Sequence, residues 1–112
     1  MELMYQNVVE MMDRCCEEYA DLPMYGTPAN GDYDWMTFRD FAETVADLRG
    51  GLDLLGVGVG DRVGIISNNI IPWATMAYAA FSAGAVYVPM YPQQNKEQWQ
   101  YILHDSSCKV LL

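Results

Sequence analysis

The fold is decided by residues 63–92, which read VGIISNNIIPWATMAYAAFSAGAVYVPMYP. Val63–Ile66 is a short apolar run, typical of a buried strand. The following segment, from Ile71 to Ala83, is apolar on nearly all sides, which predicts a buried helix. Gly84 ends this helix, and Ala85–Val88 has the pattern of a second strand. A strand, a helix and a strand in this order predict two parallel strands joined by a right-handed crossover.

The same alternation continues toward the carboxyl end of the chain. Pro89 and Pro92 are expected to stop the second strand, because proline lacks the N–H group that a sheet requires. Asn95 is a candidate cap for a third helix that runs from Lys96 to about Asp105. Its buried side would use Trp99, Ile102 and Leu103. Another strand would then begin at Lys109–Leu112, which completes a β-α-β-α-β pattern.

On the amino side of the deciding stretch, a helix is predicted to begin after Thr37. Asp40 lies three residues further on, as in a capping box. The apolar spacing continues to Leu55, and Gly56 is a natural stop. Gly50-Gly51 lies inside this helix and costs about 1 kcal/mol per glycine relative to alanine. We therefore expect either a closely packed neighbour or a locally weak helix there.

The first 36 residues are predicted to form a helix and a hairpin. Apolar residues recur every three or four positions from Glu2 to Leu22, which indicates a helix. Two short extended runs, about Pro23–Gly26 and Tyr33–Met36, flank Asn30-Gly31. An Asn-Gly pair between such runs is a hairpin signal, although the connection is longer than the ideal two residues.

The predicted fold class is therefore α/β. A parallel β-α-β-α-β segment is preceded by an N-terminal helix and a hairpin. Residues 1–112 would form a single partial domain, with the helix and hairpin in 1–36 and the alternating unit in 37–112. The sheet is expected to be incomplete, because nothing in the sequence covers its last strand.

Composition and charge exclude several classes of function. The 112 residues are 52 % hydrophobic and carry 15 acidic and 6 basic side chains, for a net charge of −9. Residues 1–60 hold 12 of the acidic and 3 of the basic side chains. Nucleic-acid binding through a basic patch is excluded by this balance. The absence of any run of about 18 apolar residues predicts no transmembrane segment.

The three cysteines indicate a reducing compartment. Cys15 and Cys16 are neighbours, and Cys108 leaves the count odd, so a secreted disulfide framework is not expected. The amphipathic, acidic beginning of the sequence differs from a secretory signal. We therefore expect a cytoplasmic protein.

No catalytic constellation is visible among the candidate residues. Gly56, Gly58 and Gly60 follow a helix and precede a strand, so a tight turn is favoured over a dinucleotide-binding loop. His104 is the only histidine, and a surface or helix-end position is favoured over a role as general base. A reactive thiol would need an electropositive setting, whereas the region of Cys15 and Cys16 is acidic. The serines lack the sequence of a nucleophile elbow; they are Ser67, Ser82, Ser106 and Ser107.

Two stretches carry a family resemblance. Residues 33–63 read YDWMTFRDFAETVADLRGGLDLLGVGVGDRV, and residues 64–112 contain IISNN, PWATMAYAAFSAGAVYVPMYP and YILHDSSCKVLL. In this order they resemble the N-terminal portion of the adenylate-forming (AMP-binding) acyl-CoA synthetases. The segments Trp35–Phe38 and Tyr87–Tyr91 are most similar to those of long-chain fatty-acid–CoA ligases.

The resemblance implies a two-step ligase as the parent protein. ATP and a fatty acid would form an acyl-adenylate, and coenzyme A would then take the acyl group, with Mg²⁺ screening the phosphates. The family's phosphate loop, its nucleotide-binding motifs and its catalytic lysine would lie further along the parent chain. No catalytic, cofactor-binding or metal-binding residue is therefore assigned here, and the chain alone is expected to be inactive and to bind no cofactor. Two loops at predicted strand ends, Ser67–Ile70 and Pro89–Asn95, are expected to shape turns and to approach the site of the parent.

Two other hypotheses remain. The chain could be a free-standing interaction or oligomerisation module, since an incomplete sheet exposes an edge and an apolar face. Its partner would be the remainder of a parent ligase or a second copy of itself. A flavodoxin- or receiver-like signalling domain would require an acidic cluster or a phosphate loop at a strand end, and Ser67-Asn68-Asn69 supplies neither.

Overall fold

The α/β architecture is confirmed by a computed structural model that describes residues 4–112. The elements occur in the order α1 (Val8–Glu18), β1 (Pro23–Ala29), β2 (Asp32–Thr37), α2 (Phe38–Leu54), β3 (Arg62–Ile66), α3 (Ile71–Ser82), β4 (Val86–Met90), α4 (Lys96–Ser106) and β5 (Val110–Leu111). They pack into two compact units, Met1–Ala46 and Asp47–Leu112, and α2 contributes to both. No helix within residues 4–112 has the length and hydrophobicity needed to cross a membrane.

Helix α1 is shorter than the predicted Glu2–Leu22. It begins after Asn7, whose side-chain oxygen accepts the backbone N–H of Glu10 at 2.9 Å. Past its end, the Leu22 N–H donates to the Tyr19 carbonyl at 2.8 Å, which turns the chain into β1. Residues 2 and 3 of the predicted helix lie outside the described residues. The buried residue of α1 is Cys16, one position from the predicted apolar stripe.

The hairpin connection is tighter than the sequence pattern indicates. Both strands extend toward the turn, so that Ala29 pairs with Asp32 and only Asn30 and Gly31 connect them. Asn30 has a φ of 50° and Gly31 a φ of 80°. These left-handed values are what a two-residue type I′ turn requires, and they match the twist of the flanking strands. The prediction of a longer connection was wrong.

The predicted capping box at the start of α2 is confirmed. The Asp40 N–H donates to the Thr37 hydroxyl oxygen at 3.1 Å, and the Thr37 N–H donates to the Asp40 carboxylate at 3.1 Å. Two backbone bonds join this helix start to the turn between α1 and β1: the Phe38 N–H donates to the Leu22 carbonyl, and the Arg39 N–H donates to the Ala20 carbonyl. The beginning of α2 is thereby held in the first unit.

Gly50 and Gly51 lie in the unbroken helix α2, and the first of the two expectations, a closely packed neighbour, is wrong. A Cβ atom added at either position meets no atom of the described residues within 4 Å. We therefore expect Gly51→Ala to raise the free energy of unfolding by about 0.5–1 kcal/mol, because alanine loses less backbone entropy in a helix. Urea denaturation followed by circular dichroism measures this change, and a lower midpoint than wild type would contradict it.

The second unit is built around a three-stranded parallel sheet with the order β4-β3-β5. In the central strand, Val63, Gly64 and Ile65 are all buried. Strand β4 does not stop at Pro89 as predicted, because Pro89 pairs with Ile65 inside the strand. Since β4 is an edge strand of this sheet, a residue without an N–H group is tolerated there.

Helix α3 is buried as the sequence predicts, whereas α4 has no fully buried residue: Trp99, Ile102 and Leu103 on its predicted buried side are half-buried. Helix α3 buries Thr75, Ala77, Ala79 and Ala80, in keeping with its apolar sequence. Near the other helix, a Cβ added at Gly64 would lie 3.2 Å from atoms of Leu103, Met90 and Cys108. The absence of a side chain at Gly64 therefore allows these three residues to approach the central strand closely.

Candidate functional site

The candidate site is the edge of the sheet where β3 and β4 end. Because these strands are parallel, the segments that follow them, Ser67–Ile70 and Tyr91–Asn95, leave from the same edge. Ligands of open α/β folds bind beyond the carboxyl ends of the strands. The first predicted segment and the part of the second, Pro89–Asn95, that follows β4 are thus brought to the position where a ligand would be expected; Pro89 and Met90 belong to the strand itself.

The first segment ends in a helix start without a side-chain cap. Ile70 is the N-cap residue of α3, and no side chain accepts a hydrogen bond from the first turn. The Ser67 hydroxyl donates to the Asn68 carbonyl at 2.9 Å, which shapes the loop locally. The side-chain amides of Asn68 and Asn69 are exposed and have no hydrogen-bond partner among residues 4–112. The segment therefore offers amide groups for hydrogen bonding.

The second segment is fixed by hydrogen bonds. The Tyr91 N–H donates to the Gln94 side chain at 2.9 Å, and the Trp99 indole N–H donates to the Tyr91 carbonyl at 2.9 Å. Asn95 and Gln98 form the capping box of α4, with distances of 2.9 and 3.0 Å. The predicted Asn95 cap is confirmed. The ring of Tyr91 stays 73 % exposed, so this rigid turn presents an aromatic group to solvent.

Tyr87 anchors the beginning of α3 to β4. Its hydroxyl donates to the Trp73 carbonyl at 2.9 Å, and the two rings meet edge to face at 5.4 Å. A second edge-to-face contact joins Tyr87 to Phe81 at 6.2 Å. Burial raises the pKa of Tyr87 to about 12.

The half-buried phenol of Tyr87 predicts a loss of stability at alkaline pH. An unfolded tyrosine has a pKa of about 10, so folding favours the neutral form of Tyr87. Its contribution is fully present below about pH 10 and is lost as the pH rises to about 12. We expect the wild type to be more stable than Tyr87→Phe at pH 8, with a smaller difference at pH 11. Urea midpoints at both pH values measure this, and an unchanged difference would contradict the prediction.

The opposite edge of the sheet carries most of the charged contacts of the second unit. The Arg62 guanidinium donates to the carbonyls of Ser106 at 2.8 Å, Gly60 at 3.0 Å and Ser107 at 3.3 Å. Lys109 donates to the Asp61 carboxylate at 3.2 Å and to the Gly56 carbonyl. Sequence reasoning gave these residues no role. For Asp61 and Arg62 the available signal was their place in the sequence Gly60-Asp61-Arg62-Val63, and apart from the bond from Arg62 to Gly60 these contacts join residues more than 40 positions apart.

The glycines before β3 form turns between α2 and β3, as predicted. Gly56 and Gly60 have φ values of 79° and 81°, and the Gly58 N–H donates to the Asp61 carboxylate at 2.8 Å. This hydrogen bond, together with the Lys109 ammonium, holds the pKa of the Asp61 carboxyl below its usual value. The turn lies at the amino end of β3, away from the candidate edge.

The other sequence candidates do not assemble a reactive group. His104 is exposed in the last turn of α4. Burial raises the pKa of the Cys16 thiol, with nearby Asp13 adding to the effect, so the reactive thiolate is disfavoured. The Ser106 hydroxyl donates to the Ile102 carbonyl at 2.6 Å. Among residues 4–112, no group of three His, Cys, Asp or Glu side chains is placed to hold a metal ion. The described residues thus offer hydrogen bonds and packing, and they do not provide a fit for Mg²⁺.

Comparison with known proteins decides the family. The family model described as AMP-binding enzyme matches residues 12–112. The chain belongs to the AMP-binding enzyme family. A relative in this family, long-chain-fatty-acid–CoA ligase heimdall of Drosophila melanogaster, is 36 % identical over 111 residues. That match covers 94 % of the chain and 16 % of the relative. Long-chain-fatty-acid–CoA ligase FadD15 of Mycobacterium tuberculosis is 33 % identical, with 96 % of the chain and 18 % of the relative covered.

A solved structure has the same arrangement of elements over nearly the whole chain. The structure of Mycobacterium tuberculosis fatty acyl CoA synthetase superposes with a TM-score of 0.86 at 28 % identity. The superposition covers 94 % of this chain and 20 % of that one. The chain thus spans about a fifth or less of the relatives that it matches. Family membership and fold are therefore established for a region much shorter than the enzymes themselves.

Proposed function

We propose that this chain is the N-terminal part of an ATP-dependent long-chain fatty-acid–CoA ligase and that it is catalytically silent by itself. The observation that carries the proposal is the 36 % identity to such a ligase over nearly the whole chain, against 16 % of the ligase. In the complete enzyme, ATP, Mg²⁺ and coenzyme A would convert a long-chain fatty acid into its thioester.

Within that enzyme, this chain would act as a scaffold for the site. Strands β3 and β4 direct Ser67–Ile70 and Tyr91–Asn95 to one edge of the sheet. Tyr87 holds the beginning of α3 against β4, so the two segments keep a fixed spacing. The two segments contain no Asp, Glu, His or Cys, so in this proposal the residues for acid–base chemistry and metal binding come from the rest of the enzyme.

An activity assay tests the silence of the isolated chain. The purified 112-residue chain is incubated with ATP, Mg²⁺, palmitate and coenzyme A, and both pyrophosphate and acyl-CoA are measured. No product above the protein-free control is expected, while a full-length long-chain fatty-acid–CoA ligase in the same reagents must form both products. Palmitate-dependent release of pyrophosphate by the chain would overturn the proposed catalytic silence.

The size of the endogenous polypeptide tests the proposal that this chain is part of a longer ligase. An antibody raised against residues 1–112 is used to blot extract from the source cells. A polypeptide several times longer than 112 residues is expected, and blotting of separated soluble and organelle fractions is expected to place it in the cytoplasm. A polypeptide of 112 residues would contradict the proposal and favour a free-standing interaction module. The three unpaired cysteines, Cys15, Cys16 and Cys108, support the cytoplasmic assignment because they are compatible with a reducing compartment.

A further inference from the structure

The tip of the β1–β2 hairpin exposes an asparagine that is followed by a glycine. Asn30 and Gly31 form the two-residue turn, and both residues are exposed. The carbonyl and N–H groups that close such a turn belong to the flanking residues, here Ala29 and Asp32. Neither the Asn30 side chain nor the Gly31 N–H has a hydrogen-bond partner among residues 4–112. The peptide unit that joins the two turn residues is therefore not fixed by a hydrogen bond.

The other four asparagines of the chain differ from Asn30 in one of two ways. The side chains of Asn7 and Asn95 each accept a backbone N–H at 2.9 Å, which fixes them as helix caps. The side chains of Asn68 and Asn69 are exposed and have no partner among the described residues, but each is followed by a residue that carries a side chain. Only Asn30 combines an unrestrained carboxamide with a following glycine.

The glycine leaves the Asn30 carboxamide open to attack by the next main-chain nitrogen. Gly31 has no side chain that could obstruct the approach of its own nitrogen atom, and the space around it is empty as well. A Cβ added there would meet no atom of the described residues within 4 Å. Because the two reacting groups belong to adjacent residues, the attack is intramolecular and needs no second molecule to be brought into position.

The conformation of the turn also favours this attack. Asn30 has a φ of 50°, a value that turns of types I′ and II′ share at this position. Rotation of the Asn30–Gly31 peptide unit converts one type into the other, and both types connect the strands of two-residue hairpins. In type II′ the ψ of Asn30 is about −120°, which places the Gly31 nitrogen on the same side as the Asn30 side chain. The attack therefore requires one peptide rotation and no change in strand pairing.

We infer that Asn30 is a site of spontaneous deamidation in the folded protein. The Gly31 nitrogen bonds to the Asn30 Cγ atom, the Cγ–Nδ2 bond breaks, and the proton of the Gly31 N–H passes through water to the departing nitrogen, which leaves as ammonia. Water then opens the five-membered succinimide at either carbonyl, which gives aspartate or isoaspartate.

The two products affect the hairpin differently. Aspartate before glycine favours the same turn as asparagine, and it adds one negative charge beside Asp32. Isoaspartate inserts an additional carbon atom into the main chain of a turn that has only two residues, so the pairing of Ala29 with Asp32 is lost. The inference is independent of the ligase activity, because it concerns the hairpin of the first unit and not the candidate edge of the sheet.

Peptide mapping of the aged protein tests this inference. The purified chain is kept folded at pH 8 and 37 °C, and samples are digested at intervals. Mass spectrometry then follows the fraction of each asparagine that has become aspartate or isoaspartate. We expect progressive loss of asparagine at position 30, and a slower loss at Asn68 and Asn69, which are internal controls for exposure alone.

A matched variant and an unfolded sample complete the experiment. Asn30→Gly keeps a residue pair that favours the same turn and removes the carboxamide, so it should release less ammonia than the wild type. Equal rates of conversion at Asn30, Asn68 and Asn69 would overturn the inference in favour of exposure alone. Conversion of Asn30 only when guanidinium chloride unfolds the chain would overturn it as well, because the folded turn would then prevent the attack.

Discussion

Replacement of Gly84 by alanine is expected to lower the free energy of unfolding by about 2–3 kcal/mol. Gly84 follows α3 with a φ of 72°, a conformation that costs an L-residue roughly 1–2 kcal/mol. The new Cβ would also lie 2.9 Å from the Val59 Cγ2 atom, and because Val59 is exposed and its side chain can turn aside, this crowding adds about 1 kcal/mol, the lower end of the cost of overpacking in a core. Urea denaturation of the purified chain, followed by circular dichroism, measures the combined effect of strain and crowding on the free energy of unfolding.

A second variant separates the two causes. Val59→Ala removes the atom that the new Cβ would meet and leaves the backbone conformation of Gly84 unchanged. The pair Gly84→Ala and Val59→Ala should therefore recover the part of the loss that is due to crowding and retain about 1–2 kcal/mol of strain. Gly51→Ala is the matched control, because its Cβ enters open space on a helix. Equal effects of alanine at positions 84 and 51 would contradict this explanation.

Arg62→Met is expected to lower the free energy of unfolding by about 2–3 kcal/mol. The guanidinium donates to three carbonyls, and those of Ser106 and Ser107 belong to the end of α4. A hydrogen bond from a charged donor contributes about 1.5–3 kcal/mol, but the three bonds share one side chain and are partly exposed, so their effects do not add fully. Methionine keeps much of the apolar stem and removes only the donors.

The control for Arg62 is Arg49→Met, which removes an arginine from the exposed surface of α2. It should change the stability by less than about 0.5 kcal/mol. Arg62→Lys should be intermediate, because one ammonium cannot reproduce the fork of a guanidinium. If Arg62→Met unfolds at the same urea concentration as Arg49→Met, the three hydrogen bonds do not stabilise the chain.

Elements whose signals are local could be predicted from the sequence. Helix α4 begins after Asn95 and α2 after Thr37, because each cap forms within four residues. The alternation of apolar strands and helices likewise predicts the parallel sheet, since no distant information is needed to recognise it. Strand β4 was misjudged at Pro89 for the opposite reason: tolerance of a proline depends on the strand being at the edge of the sheet.

In the candidate site, too, the local features could be predicted from the sequence and the long-range contacts could not. The segments Ser67–Ile70 and Tyr91–Asn95 could be located from the sequence, because each follows a recognisable strand. The contacts that set the geometry of the two segments could not be predicted in this way. The bond from Tyr87 to Trp73 spans 14 residues, and those from Arg62 to α4 span 44 and 45. No periodicity encodes which distant carbonyl a side chain will reach.

The strand order also has a consequence for folding during synthesis. The first strand of the sheet to be made, β3, is the middle one, and both of its edges are paired by segments made later. At about 5–20 residues per second, Val63 waits on the order of seconds for Tyr87 and longer for Val110. Until then, the unpaired edges of this apolar strand can pair with nascent chains that are made from the same messenger RNA. A nascent-chain binding factor would therefore have its greatest protective effect on this segment before β5 emerges.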